Sequence, residues 1–71
     1  MDLKDLENRF NYHAPKTELN QTERYEMMRK VLLDTAHYVV DQTPESMEQS
    51  LAVTKLEEAM YWANSAIARN E

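Results

Sequence analysis

From Ser46 to Glu71 the apolar positions keep helical spacing without a break. One seam runs Ala52, Leu56, Ala59, Ala63 and Ala66, at spacings of 4, 3, 4 and 3. A second runs Val53, Leu56, Met60, Ala63 and Ile67, at 3, 4, 3 and 4. Side chains so spaced stack on one face of a helix. Sharing Leu56 and Ala63, the two seams merge into one broad stripe, with Leu51 and Trp62 towards its other margin. A helix with so wide an apolar face requires more than one neighbour, which predicts self-association.

Upstream, Tyr25, Met28, Leu32, Thr35, Ala36 and Val39 form the main apolar face of a middle helix, flanked by Met27, Val31, Tyr38 and the polar Arg24, Arg29, Lys30 and Asp34. This helix starts in the polar lead-in Thr17 to Gln21, where Asn20 and Glu23 stand in capping-box register. Near the N-terminus Leu3, Leu6 and Phe10 are spaced by 3 and 4, which suits a short amphipathic helix that must dock on something. Proline disfavours helix in the residue before it and suits the first turn after a cap, so Pro15 and Pro44 divide the chain into three parts. Between the second and third parts Thr43 is the expected N-cap, with Pro44 in the first turn. Ser46 is the alternative cap, because Gln49 follows it at the right offset.

So short a connection between two long helices requires an antiparallel pair. The expected architecture is all-α: one domain over residues 1–71, with a short helix at 2–10 and a helical hairpin made of helices at 18–41 and 44–70.

Composition narrows the picture. A chain of 71 residues buries only about 60% of its unfolded surface, so a stabilising device is needed. Cysteine is absent, and His13 and His37 stand alone without a second ligand at metal spacing, so neither disulfides nor a metal is expected. Oligomerisation is the device that remains. No apolar window of 18 residues exists and the N-terminus is charged, so a membrane span and a secretory signal are both unexpected. Net charge is −5, with residues 1–16 neutral, 17–43 at −2 and 44–71 at −3. Without a cluster of Lys and Arg the chain is not expected to grip duplex nucleic acid. A small anion held by a few arginines is compatible with this balance, because a local field can oppose net charge.

Catalysis finds no support: nucleophile, phosphate-loop and metal motifs are all missing, and Glu57 and Glu58 point in adjacent directions on a helix. No cofactor is expected. The connector FNYHAPK, residues 10–16, crowds two aromatics and a histidine; Tyr12 and His13 either fill the join between helix and hairpin or offer a ring for a base to stack on. Arg69 near the end of the last helix either opposes the helix dipole or meets a ligand. Arg29 and Lys30 are adjacent, and one of them pairs at i, i+4 with Glu26 or Asp34. Asn64, beside the alanine seam, is a specificity device or a ligand contact, since a buried amide needs partners. The alanines either allow close helix packing or leave room for a flat ligand.

Three strings carry a family resemblance: RFNYHAP at 9–15, RYEMMR at 24–29, and SLAVTKLEEAMYWANSAIARNE at 50–71. They resemble the phage anti-CBASS cyclic-nucleotide sponges, whose hairpin domain is shared with a class of Thoeris anti-defence sponges. The C-terminal string is the specific one. The resemblance implies a non-enzymatic protein that sequesters cyclic di- and trinucleotide immune messengers in the cytoplasm of an infected bacterium. It also implies a homohexamer of hairpins, with dinucleotides bound between neighbouring protomers and trinucleotides in separate pockets.

Carried over residue by residue, the resemblance places Tyr12, His13 and Pro15 at the dinucleotide, together with Met27, where related chains often have a lysine. A dinucleotide phosphate would then need Lys16, Arg24 or Lys30. It places Arg69, Asn64 and Met60 at the trinucleotide, with Arg29 approaching from a neighbouring chain. Two alternatives stand beside this reading: a sponge for cyclic ADP-ribose isomers, and a helical module that binds a host protein through Trp62, Tyr38 and Tyr61.

Overall fold

A computed structural model describes residues 2–71. The first helix, α1, spans Leu3–Phe10; Asp2 caps it, its side chain accepting from the Lys4 backbone N–H at 3.3 Å. A single 3₁₀ turn at Thr17–Leu19 precedes α2, Gln21–Gln42, and α3 runs Met47–Asn70. No strand occurs among the described residues. Helices α2 and α3 are antiparallel, because the start of α2 at Gln21 and Arg24 is hydrogen-bonded to Glu71, just past the end of α3.

Two helix starts differ from the sequence expectation. The middle helix begins at Gln21, not at 18, and Asn20 makes no side-chain cap. Asn20 closes the 3₁₀ turn, its N–H donating to the Thr17 carbonyl at 3.0 Å, and does so in the left-handed conformation at φ 54° and ψ 35°. An N-cap needs extended dihedrals to fold its side chain back over the first turn, so the capping box with Glu23 cannot form. Glycine usually fills such a position; the chain has none, and asparagine is among the few residues that tolerate it.

The last helix begins at Met47, not at 44, and its cap is Ser46, whose Oγ accepts from the Gln49 N–H at 3.1 Å. Thr43 is drawn the other way. Its hydroxyl donates to the Val39 carbonyl at 2.7 Å, while the Gln49 amide donates to the Thr43 and Val40 carbonyls at 3.0 and 3.2 Å. The turn is thus satisfied by closing α2, and Pro44 falls outside the helix.

Within the hairpin Tyr25, Met28, Leu32, Ala36 and Val39 of α2 face Ala52, Val53, Leu56, Met60, Ala63 and Ile67 of α3, and all are at least half-buried. Thr35, expected on this face, is exposed and donates its hydroxyl to the Val31 carbonyl. The seam through Val53 and Ile67 is covered along its length, whereas the alanine seam is covered at Ala52, Leu56 and Ala63 and exposed at Ala59 and Ala66.

The interior is slight. Ile67, at 7% exposure, is the one fully buried apolar residue among those described. Phe10 is 83% exposed and Trp62 71%, and Leu3, Leu6, Leu51, Tyr38 and Tyr61 are also exposed. Helix α1 therefore keeps its apolar stripe uncovered within one chain. The molecule measures 45 × 31 × 13 Å with a radius of gyration of 15.3 Å, against about 11 Å for a compact chain of this length. Its accessible surface is 5875 Å², where a compact monomer of this mass would expose about 4,600 Å².

Candidate functional site

The connector between α1 and the 3₁₀ turn holds Tyr12, His13 and Pro15 at one end of the hairpin. Tyr12 is 87% exposed, so it contributes nothing to the fold that a smaller side chain would not. His13 is half-buried, and its Nε2–H donates to the Asn8 carbonyl at 3.1 Å. A carbonyl only accepts, so this bond places the neutral ring's proton on Nε2. It also ties the connector back to α1. Met27 lies two helical turns into α2 and is 59% exposed.

The second group of candidates divides between two places. Arg29 and Met60 line one groove between α2 and α3, about 320 Å³, with Leu32, Val53 and Leu56 as its apolar floor and Glu57 on its rim. Arg69 lines a different groove, about 270 Å³, whose walls are Asp5 and Asn8 of α1 and Trp62, Ser65 and Asn70 of α3. A single chain brings Arg29 together with Met60 and leaves Arg69 apart from both.

Arg69 is half-buried and forms no ion pair with a described residue. Its Nη1 donates to Ser65 Oγ at 3.4 Å, and its Nε is buried without a partner. Asn64 is in the same condition, its Oδ1 buried and unbonded. A buried polar atom left unpaired costs about 1–3 kcal/mol, and these two lie within six residues of each other on α3. Arg69 stands in the last turn of α3, where its charge opposes the helix dipole, and its side chain also lines the groove beside α1.

Lys4, Arg9 and Arg29 likewise form no ion pair with a described residue but are exposed, and four further cations are held by acids or by the chain end. Lys30 pairs with Asp34 at 3.0 Å and Lys55 with Glu58 at 3.4 Å, both along their own helices. Lys16 and Arg24 are drawn to Glu71. Both Arg24 terminal nitrogens lie 2.8 Å from its carboxylate oxygens, and the Lys16 ammonium donates to its backbone oxygen. Gln21 completes this cluster, accepting from the Lys16 N–H at 2.9 Å and donating to the Glu71 carboxylate at 3.1 Å. The Arg24 fork, then the Gln21 amide, holds the Glu71 carboxyl below the usual glutamate range. The same pairing raises the Arg24 guanidinium.

Sequence reasoning missed Asn8, Asp5 and the Gln21–Glu71 bond. Glutamine in a polar lead-in carries no signal of burial, and nothing local links it to a residue 50 positions away.

These features define a helical-hairpin domain that presents unpaired polar atoms at one end and a wide apolar surface along its length. The chain belongs to the Acb2/Tad1 hairpin domain family, whose model matches residues 2–68. That family is the anti-CBASS and anti-Thoeris sponges, phage anti-defence proteins that sequester cyclic nucleotide signals. No curated protein and no solved structure matches the chain significantly. Among the described residues no helix is long and apolar enough to cross a membrane.

Proposed function

We propose that this chain assembles as a homo-oligomer, a hexamer on the pattern the resemblance implies, and sequesters cyclic di- and trinucleotide messengers without cleaving them. It thereby keeps CBASS effectors inactive in the cytoplasm of the infected host. The observation that carries the reading is the pair of unpartnered buried atoms, Asn64 Oδ1 and Arg69 Nε, on the helix with the specific family string. In a chain of net charge −5, an arginine that is half-buried and forms no ion pair with a described residue is available to an anion that comes from outside.

The assembly rests on area. The surplus over a compact monomer is roughly 1,250 Å², more than the ~800 Å² that one standard interface takes from each partner. In such an assembly a neighbouring α2 brings Arg29 to the Arg69 groove. Arg69, Asn64, Arg29 and Met60 then surround the trinucleotide, and Tyr12, His13, Pro15 and Met27 the dinucleotide. Stacking of a base on the free Tyr12 ring contributes ~1–3 kcal/mol, and a two-fold ligand between two protomers receives each contact twice.

The test is a panel of cyclic dinucleotides, cyclic trinucleotides and cyclic ADP-ribose isomers. Thermal shift is measured with each, followed by recovery of the ligand after denaturation. A stabilised protein that returns intact ligand supports the sponge, and the panel member that stabilises it most identifies the messenger. Degraded ligand makes it an enzyme. No shift with any member favours the protein-binding module, which has the exposure of Trp62, Tyr61 and Tyr38 in its favour.

A further inference from the structure

The most buried side chain among the described residues is a polar one, Gln21 at 2% exposure. Its carbonyl is held by the Lys16 N–H, so its amide has one direction left, towards Glu71. Four donors converge on that residue: two Arg24 nitrogens and the Gln21 amide on the carboxylate, and the Lys16 ammonium on the backbone oxygen. We propose that Lys16, Gln21 and Arg24 form an anion cradle, occupied by Glu71 in the free chain and by a phosphodiester of the bound nucleotide when Glu71 swings out.

The donors suit either occupant. The guanidinium fork matches a phosphate's two non-bridging oxygens as well as a carboxylate's. Because the Gln21 amide is fixed by burial and by the connector, the cradle persists when its occupant leaves. Glu71 is a weak occupant. It follows the end of α3, both members of the ion pair remain partly exposed, and exposed pairs contribute little to stability. Removing Glu71 leaves two cations side by side with no acid among their hydrogen-bond partners.

The ligand is named by position. Lys16 follows Tyr12 by four residues, at most about 14 Å of extended chain. A base on Tyr12 and a phosphate in the cradle are thus within the span of one cyclic dinucleotide. That assignment rests on the sponge reading, while the cradle itself does not.

The experiment uses the full chain and its Glu71→Gln and Arg24→Gln variants, with circular dichroism to verify that each is folded. Titration calorimetry with 3′,3′-cyclic GMP–AMP is expected to show Glu71→Gln binding about two- to five-fold tighter, since an internal competitor has gone. Arg24→Gln is expected to bind at least about tenfold weaker. If the parent chain binds and Glu71→Gln binds equally or more weakly, Glu71 is a structural clasp and the cradle is overturned. Inorganic pyrophosphate supplies the arm independent of nucleotide: the Arg24 side-chain NMR signal should move, and at lower concentration in Glu71→Gln. No movement in either protein overturns the cradle even if nucleotides bind elsewhere. Movement with pyrophosphate, but no binding of any cyclic nucleotide, supports the cradle and defeats the sponge reading.

Discussion

Arg24 and Glu71, 47 positions apart, meet fork to fork, each terminal guanidinium nitrogen 2.8 Å from its own carboxylate oxygen. This contact joins the start of α2 to the residue after α3, so it closes the open end of the hairpin opposite the Thr43–Ser46 turn. Its strength depends on the ionised carboxylate. In the folded chain the Glu71 carboxyl titrates below a glutamate's ordinary 4.5. A depressed folded value means that the pairing stabilises fully above 4.5 and that this contribution is lost as pH falls through the lower folded value.

The first prediction follows from that sign. The thermal midpoint of the parent chain, less that of Glu71→Gln, should be constant at neutral pH and shrink as pH falls below 4.5. Added salt should shrink it too, since the pair is partly exposed. A difference that grows on acidification would show that Glu71 acts in its protonated form.

The second concerns Asn20, the one residue with positive φ among those described. Asn20→Gly should leave stability unchanged or raise it slightly, whereas Asn20→Val should lower it by about 1–2 kcal/mol, the penalty of a Cβ in the left-handed region. Urea unfolding followed by circular dichroism reads both. Equal stability of the valine variant would mean that the 3₁₀ turn relaxes without loss.

How far the sequence disclosed these features depends on their range. Helical spacing along Val53, Leu56, Met60, Ala63 and Ile67 located the packed face, because periodicity is a local property that packing only confirms. The start of α2 was misplaced by competition: Asn20 is a good N-cap in isolation, yet the preceding turn requires its left-handed backbone. Lys30 pairs with Asp34 as spacing allowed. The pairing of Gln21 and Arg24 with Glu71 joins the far ends of two helices, and no spacing rule reaches that distance. Candidate ligand residues stood out by type, while the division of Arg29 and Arg69 between separate grooves was not legible, since it follows from where α1 lies.

The third prediction is a crossover. Tyr12→Ala should weaken cyclic dinucleotide binding by roughly ten- to a hundredfold, as the loss of base stacking requires, with little effect on trinucleotides. Arg69→Ala should do the reverse, weakening trinucleotides at least about tenfold through the lost charged hydrogen bonds. Tyr12 is exposed and Arg69 forms no ion pair with a described residue, so neither change should unfold the hairpin. Calorimetry with one ligand of each class decides; equal loss of both ligands in either variant would defeat the two-site arrangement, and smaller species on size exclusion would make Arg69 structural.

The fourth separates the hairpin from its assembly. Ala63 belongs to both seams and is half-buried against α2, so Ala63→Glu forces a larger, charged side chain into the helix crossing. Overpacking there costs about 1–3 kcal/mol before the charge is counted, which is severe for a chain with so little interior. Ala59 sits one turn earlier on the alanine seam and is exposed. Glutamate there should change hairpin stability by no more than about 0.5 kcal/mol. In an interface between copies, however, the same glutamate is buried without a partner and opposes association. Sedimentation velocity with circular dichroism should therefore show Ala63→Glu losing helix, and Ala59→Glu keeping its helix while sedimenting as a smaller species. An Ala59→Glu protein that sediments like the parent would remove the alanine seam from the interface. A parent chain already monomeric would leave the apolar surplus to some other partner.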